Sequence, residues 1–348
     1  MAYTDIDKPT DYFETKLYTG NGSTQSISGI GFQPDLVWVK RRNGTQNHVL
    51  EDVVRGTTKA LYSNLTNAEE NQATSITSFD SDGFTTGAFD DTNINTGTFA
   101  SWNWLASNTT ASNTDGSITS TVSANTTSGF SIVSYTGNGT AGATIGHGLG
   151  SIPQVVITKE TNGTAWWGGY FAPLGNTKSI YLNQTNSADT SVQFWNNTSP
   201  TSSVFTVGNN SISNRAVGGS TYIAYCFAEK KGFSKFGSYT GNGSTDGTFV
   251  YTGFKPAFTI IKQSSASGQN WFLTDNKRNE FNAVDKLLYA DSSNAEVTSG
   301  SHPIDFLSNG FKCRGTGAGN NSSGATYIYM AFAENPLVGT NNIPATAR

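Results

Sequence analysis

Tyr18-Thr19-Gly20-Asn21-Gly22 recurs letter for letter at 135–139 and again at 239–243. Each copy opens a stretch carrying the same later landmarks in the same order. A proline follows (Pro34, Pro153, Pro256), then an apolar run closing on lysine (Lys40, Lys159, Lys262). Next come Lys59, Lys178 and Lys286, each three residues ahead of a tyrosine (Tyr62, Tyr181, Tyr289). Each copy ends on an aromatic-rich segment: FASWNW from Phe99, YIAYCF from Tyr222 and YIYMAF from Tyr327. Ordered self-similarity on this scale means one structural unit used three times.

From opening tyrosine to last aromatic the copies run 18–104, 135–227 and 239–332, close to one another in length. The gap after the first is the longer one, and 118–122 within it alternates apolar and polar residues, as an added strand or β-arm would. The expected organisation is an N-terminal arm (1–17), module 1 (18–106), a linker with an added strand (107–134), module 2 (135–229), module 3 (230–334) and a C-terminal tail (335–348).

The closing segments set strand parity. Ala100, Trp102 and Trp104, with Ile223, Tyr225 and Phe227 and with Ile328, Met330 and Phe332, are apolar and expected to face the core of their own module. The alternate residues, among them Ser101, Asn103, Tyr222 and Cys226, are mixed and expected on a partly wet face or against a neighbour. The runs 36–39, 155–157 and 258–261 read as central strands, being short and rich in β-branched and aromatic residues. Asn-Gly in the pentapeptide suits a type I′ hairpin turn, and only 67–71 hints at a helical turn. The fold class expected is all-β, three tandem jelly-roll-like β-sandwich modules strung like beads.

Only 13% of residues are charged and the net charge of −4 is spread along the chain, which argues against nucleic acid as a partner. No apolar run approaches the roughly 18 residues of a membrane span, so no membrane insertion is expected. The start, MAYTDIDKPTDYF, has neither a basic nor an apolar export region, so Sec-type export is not expected. Cys226 and Cys313 occupy non-equivalent positions and read as buried, reduced thiols.

The chemistry-bearing residues are few. His48 near Asp52 resembles a base and its orienting acid, but its counterparts are Trp167 and Trp271, and a catalytic base does not interchange with tryptophan. Asp52 and Arg55 correspond to Asp275 and Arg278, a spacing that reads as a structural ion pair. His147 lies in a glycine-bounded turn with no following Lys-Ser/Thr, so it is no phosphate loop. Asp80, Asp82, Asp90 and Asp91 offer oxygen ligands for calcium without EF-hand spacing, and read better as turn formers. No acid pair of the kind glycan hydrolysis needs recurs between modules, so neither catalytic residue, metal nor cofactor is expected. Trp166, Trp167 and Tyr170 in AWWGGYF are the ligand-binding candidates, as a stacking platform; the alternative is that alternate rings fill the core of module 2. Tyr12 and Phe13 are the partner-docking candidates on the N-terminal arm.

The strings KLYTGNGSTQSISGIGFQPDLVWVKRR, ITSFDSDGF, GSITSTVSANTTSGFSIVSYTGNGT, YIAYCFAEKKGFSKFGSYTGNGS and TYIYMAFAENP resemble a family of tailed-bacteriophage virion proteins, common in phages of marine and other aquatic bacteria and described as structural or tail-fibre-like. The resemblance runs from about Asp5 to Arg348. It implies a non-enzymatic virion protein, assembled in the host cytoplasm, that contacts other tail or capsid proteins and a host surface glycan or receptor. The alternative within it is capsid decoration. Modest module cores and polar strand edges add an expected homo-oligomer, a trimer by analogy with fibres.

Overall fold

A computed structural model describes residues 4–215, 219–339 and 345–346. The chain is all-β, with 43% strand against 4% helix. Module 1 has one six-stranded antiparallel sheet in the order Phe13–Thr19, Thr98–Trp104, Leu36–Arg41, Val49–Asp52, Lys59–Tyr62 and Glu70–Asn71. A second sheet of Gln25–Ser28, Gly83–Thr86 and Ile76–Asp80 packs on it. Modules 2 and 3 repeat this order, with opening and closing strands Phe130–Thr136 and Thr221–Phe227, then Ser234–Thr240 and Thr326–Pro336. The register repeats too: Tyr18 pairs with Phe99, Tyr135 with Tyr222 and Tyr239 with Tyr327.

The pentapeptide is a stitch, not a hairpin. Its two flanking strands lie in different sheets, and only its second glycine has positive φ (+70° at Gly22, +65° at Gly139 and Gly243), whereas a type I′ turn needs two such residues. The tyrosine hydroxyl donates at 2.7 Å to the carbonyl of Thr92, Ser213 or Asn320, in the loop before the closing strand. The next residue there, Asn93, Asn214 or Asn321, is buried, and its amide donates to three oxygens of the pentapeptide loop and its neighbourhood. The first glycine admits the close approach, since a Cβ on Gly20 would sit 2.3 Å from the Ile94 carbonyl oxygen. Helical turns occur at Asp90–Asn93 and Val192–Trp195 instead of at 67–71.

The modules are not beads. Trp102, Trp104, Tyr225, Phe227, Met330 and Phe332, expected inside their own sandwiches, belong to one core shared by all three modules. The alternate residues, including Phe99, Tyr222, Cys226 and Tyr329, fill the space between the two sheets of each module. Both faces of each large sheet are therefore buried, which is why its central strands read as continuous apolar runs rather than alternating ones. Trp104, Phe227 and Phe332 occupy equivalent positions, and their rings form a near-equilateral triangle with sides of 6.4, 5.6 and 5.8 Å. The body has a pseudo-threefold axis through that triangle.

Backbone bonds close the ring cyclically. Glu69 N–H donates to Thr161 C=O (2.7 Å), Ala188 N–H to Ser264 C=O (3.0 Å) and Glu296 N–H to Arg42 C=O (2.8 Å). These are equivalent positions of modules 1 to 2, 2 to 3 and 3 to 1. Two sequence boundaries move accordingly. The opening strand of module 1, Phe13–Thr19, begins within the expected arm and takes its residues 13–17 into the module. The linker contributes a hairpin, Ala111–Asn113 and Ser120–Asn125, to the large sheet of module 2. Residues 1–3 of the expected arm and most of the tail beyond 339 lie outside the described residues.

Since each large sheet buries one face only against its neighbours, a module cut free exposes that face. Residues 4–106 expressed alone are expected to show no cooperative thermal transition, while the whole chain melts in one. A stable, cooperatively unfolding excised module would refute the shared core.

Candidate functional site at the seam of modules 1 and 3

The expected stacking platform does not form. Trp167 and Tyr170 lie on one short stretch, yet Trp167 turns into the shared core while Tyr170 turns into module 2 against Trp195. Trp167 is fully buried with its Nε1–H donating to the Tyr62 carbonyl of module 1 (2.9 Å), and Tyr170 is also buried. Only Trp166 is exposed, at 41%, leaning on Tyr181. The docking pair is likewise spent within the chain. Phe13 is 1% exposed and packs on Trp104, Phe258 and Phe332, and Tyr12 meets Phe233 edge-on. An extended segment does dock its rings here, but into this chain's own core.

His48 faces the seam between modules 1 and 3. Its Nδ1 accepts from Trp38 Nε1–H (2.9 Å), and the Tyr289 backbone of module 3 lies beside its ring. Burial, then the charge on Lys40, hold it well below the usual histidine range, so it stays neutral. Its counterpart Trp271 donates to the Tyr181 carbonyl (2.8 Å), as Trp167 does to Tyr62. These planar residues lock one module onto the next. In the acidic turn Asp80 accepts from Ser78 and Thr85 (2.7 Å each), and Asp82 from the N–H groups of Gly29 and Gly31, as turn formers do. Among the described residues no cluster of three metal-ligating side chains occurs.

Two of the three seams carry a buried ionic triad. Asp52 pairs with Arg55 (2.6 Å), which reaches Glu69 (3.2 Å), and Asp275 pairs with Arg278 (2.6 Å), which reaches Glu296 (3.2 Å). Each aspartate also accepts from the neighbouring module: Asp52 from Tyr225 O–H (2.8 Å), Asp275 from Trp102 Nε1–H (3.1 Å). Module 2 has Phe171, Leu174 and Ala188 at these three places, and the residue matching Tyr225 and Trp102 is Met330, which has nothing to donate. Acid, base and donor are replaced together.

The seam of modules 3 and 1 has more. Arg42, where the other modules have Thr161 and Ser264, forks onto Glu296 (3.0 and 2.9 Å). Burial would weaken the Arg42 charge, but the Glu296 hydrogen bond and charge outweigh it and hold the guanidinium more firmly protonated than usual. Asn279-Glu280-Phe281-Asn282 is an insertion between Asp275 and Lys286 that modules 1 and 2 lack. It builds a cleft of about 460 Å³ lined by Leu17, Arg42, Lys277, Asn279, Phe281 and Lys286. Phe281 is 75% exposed, the most exposed large apolar side chain among the described residues. Lys277, two residues ahead of the insertion, pairs with Glu14 of module 1 across the seam (3.0 Å). A bare ring beside amide, ammonium and guanidinium groups can stack on a sugar face and donate to its hydroxyls. The sequence signal for this site was a length difference between repeats.

Fold and seam define a class: an all-β, pseudo-threefold body of three fused sandwich modules. The chain belongs to the family described as a domain of unknown function, DUF7483, whose model matches residues 8–336. Comparison with curated proteins gave no match, and comparison with solved structures gave none.

Two measurements follow from the seam chemistry. Asp52→Phe alone takes from the Arg55 guanidinium, 5% exposed, its nearer carboxylate and leaves only Glu69, and is expected to cost about 3 kcal/mol. Asp52→Phe, Arg55→Leu, Glu69→Ala and Tyr225→Met together install the apolar set and are expected to recover most of that loss in a urea titration. A quadruple variant no more stable than the single one would reject the equivalence of the seams.

The equivalent lysines Lys40, Lys159 and Lys262 give the pH test. All three are buried, with Nζ donating to the next residue's carbonyl (2.7, 2.6 and 2.8 Å). Burial lowers each to about 8, against the opposite pull of Asp91, Glu160 and Asp291. Between that value and the unfolded lysine's ~10.4 the unfolded chain binds more protons, so these groups make stability rise with pH in that window. The buried thiols, raised by burial, work the other way above about 9. The readout is therefore a difference: Lys159→Met is expected to rise less in Tm than the parent between pH 8 and pH 10. Equal slopes would show that Lys159 is not depressed.

Proposed function

We propose that this chain is a bacteriophage virion surface protein of tail-fibre or spike type, non-enzymatic, that binds a host surface glycan or receptor and contacts other virion proteins. The observation that carries the reading is the resemblance of its long strings, spread over nearly the whole chain, to tailed-phage structural proteins. The cleft beside Phe281 supports the binding part, because an exposed ring and a set of fixed polar donors are what sugar recognition uses. The buried, neutral His48 and the committed aspartates support a non-catalytic role. Capsid decoration is the second reading, supported by the compact body that three modules form around one core. In either setting the threefold arrangement that a homotrimeric fibre builds from three chains is supplied by one, through the shared core. A homo-oligomer then needs some other surface.

Mass spectrometry and cryo-EM of purified particles are expected to find the chain on the virion exterior; its absence from particles would sink the reading. For the purified protein, a host-glycan array is expected to give binding that Phe281→Ser weakens at least ~10-fold with Tm unchanged, and no release of reducing ends. Glycan turnover, or binding indifferent to Phe281, would count against a spike role at this seam.

A further inference from the structure

The three modules treat one strand edge in three different ways. Pairing of Ile27 with Phe84, Ile145 with Phe205 and Val250 with Phe311 makes Gln25–Ser28, Ala143–Gly146 and Phe249–Tyr251 equivalent edge strands of the small sheets. The positions flanking the buried centre lie on the face of the strand away from the module core. They are Ser26 and Ser28 in module 1, Thr144 and Gly146 in module 2, Phe249 and Tyr251 in module 3.

In module 2 that edge is already occupied. Ile118 N–H donates to the Thr144 carbonyl (3.0 Å), forming a parallel bridge, while Ser117 and Thr144 exchange two further bonds (2.9 Å each). Asn113 lies so close over Gly146 that a Cβ there would meet its Oδ1 at 1.6 Å. The small residues of this edge thus go with a strand laid on it. Module 1 keeps two serines in water. Module 3 instead exposes two rings, Phe249 at 44% and Tyr251 at 58%, and among the described residues no strand pairs with its outer edge.

The backbone there is poised for a partner. Cys313 N–H donates to Thr248 C=O (3.0 Å) and Thr252 N–H to Asn309 C=O (3.0 Å), so the inward hydrogen-bonding positions are 248, 250 and 252. By the alternation of an antiparallel ladder, the N–H and C=O groups of Phe249 and Tyr251 point to the free edge. The counterpart of Phe249 is Thr144, whose carbonyl takes the incoming strand in module 2.

We propose that this edge pairs with the same edge of a second copy of the chain, antiparallel about a twofold axis at Val250. That register sets Phe249 opposite Tyr251 of the copy twice over, aligning four backbone bonds and two aromatic cross-strand pairs. The segment is its own complement, which an isologous contact requires. Beyond Tyr251 the Gly253 carbonyl is taken by Leu337 N–H (3.3 Å), so the exposed ladder is confined to Phe249 and Tyr251. Two small sheets would join into one of six strands.

Sedimentation of the full chain tests this. A monomer–dimer equilibrium with Kd on the order of 10–100 µM is expected for so short an edge. Phe249→Ser/Tyr251→Ser, which copies module 1, is expected to weaken it at least ~10-fold while leaving Tm and the far-UV spectrum unchanged. Register is read by cysteine pairing: Phe249→Cys mixed with Tyr251→Cys should give a cross-linked dimer on oxidation, and neither alone should. A chain that stays monomeric throughout that range, including one that captures only some other protein, overturns the proposal. So does a dimer that survives the serine pair or cross-links in the single-variant samples.

Discussion

Everything in this molecule depends on large sheets that bury both faces. One face of each closes its own sandwich and the other closes the ring, so a residue at either parity of a closing strand has nowhere to meet water. A module of this polarity has a thin core by itself, since small domains bury little more than ~60% of their unfolded surface. The triangle of Trp104, Phe227 and Phe332 adds a second core at no cost in chain length. Aromatic rings suit that place, because three wide planar groups can meet edge to face on one axis.

The seams give two answers to one packing problem. Modules 1 and 3 bring acid, base and a donor from the neighbour; module 2 brings Phe171, Leu174 and Ala188, with Met330 across from them. Buried ion pairs gain Coulomb energy but give much of it back as desolvation, so a matched apolar set can replace them at little loss. Replacing one member alone cannot, since it strands the rest. That all four positions differ together argues that they act as one unit. The ionic seams also carry direction: an Asp that accepts from Trp102 or Tyr225 admits the neighbour at one height only.

The repeat, the all-β class and the central strands were legible from five landmarks and from period-2 patterning. So was the reading of Asp52 and Arg55 as an internal pair, and of His48 as a planar packing residue. The shared core was not. Its signal, unbroken apolar runs such as LVWV at 36–39, says that both faces are covered but not by what. Trp102, Tyr225 and Met330 look like ordinary core residues from sequence, because a module interface and a module interior have the same chemistry. The buried asparagines 93, 214 and 321 were overlooked in a chain full of surface asparagine, where only their offset from the closing strand sets them apart. The Phe281 cleft appears only when repeat lengths are compared after the ring is known to close between modules 3 and 1.

The ring closure has a consequence for how the chain is made. Each opening strand waits for a closing strand nearly a full module later, and the last seam joins Glu296 to Arg42, so native contacts are mostly long-range and folding is slow. On the ribosome, at about 5–20 residues per second, the tryptophan face of module 1 emerges well before the residues of module 3 that cover it. A nascent chain therefore carries Trp102 and Trp104 uncovered for some ten seconds or more. That interval is an opening for chaperones, and for neighbouring nascent chains on one messenger to lend each other the missing module.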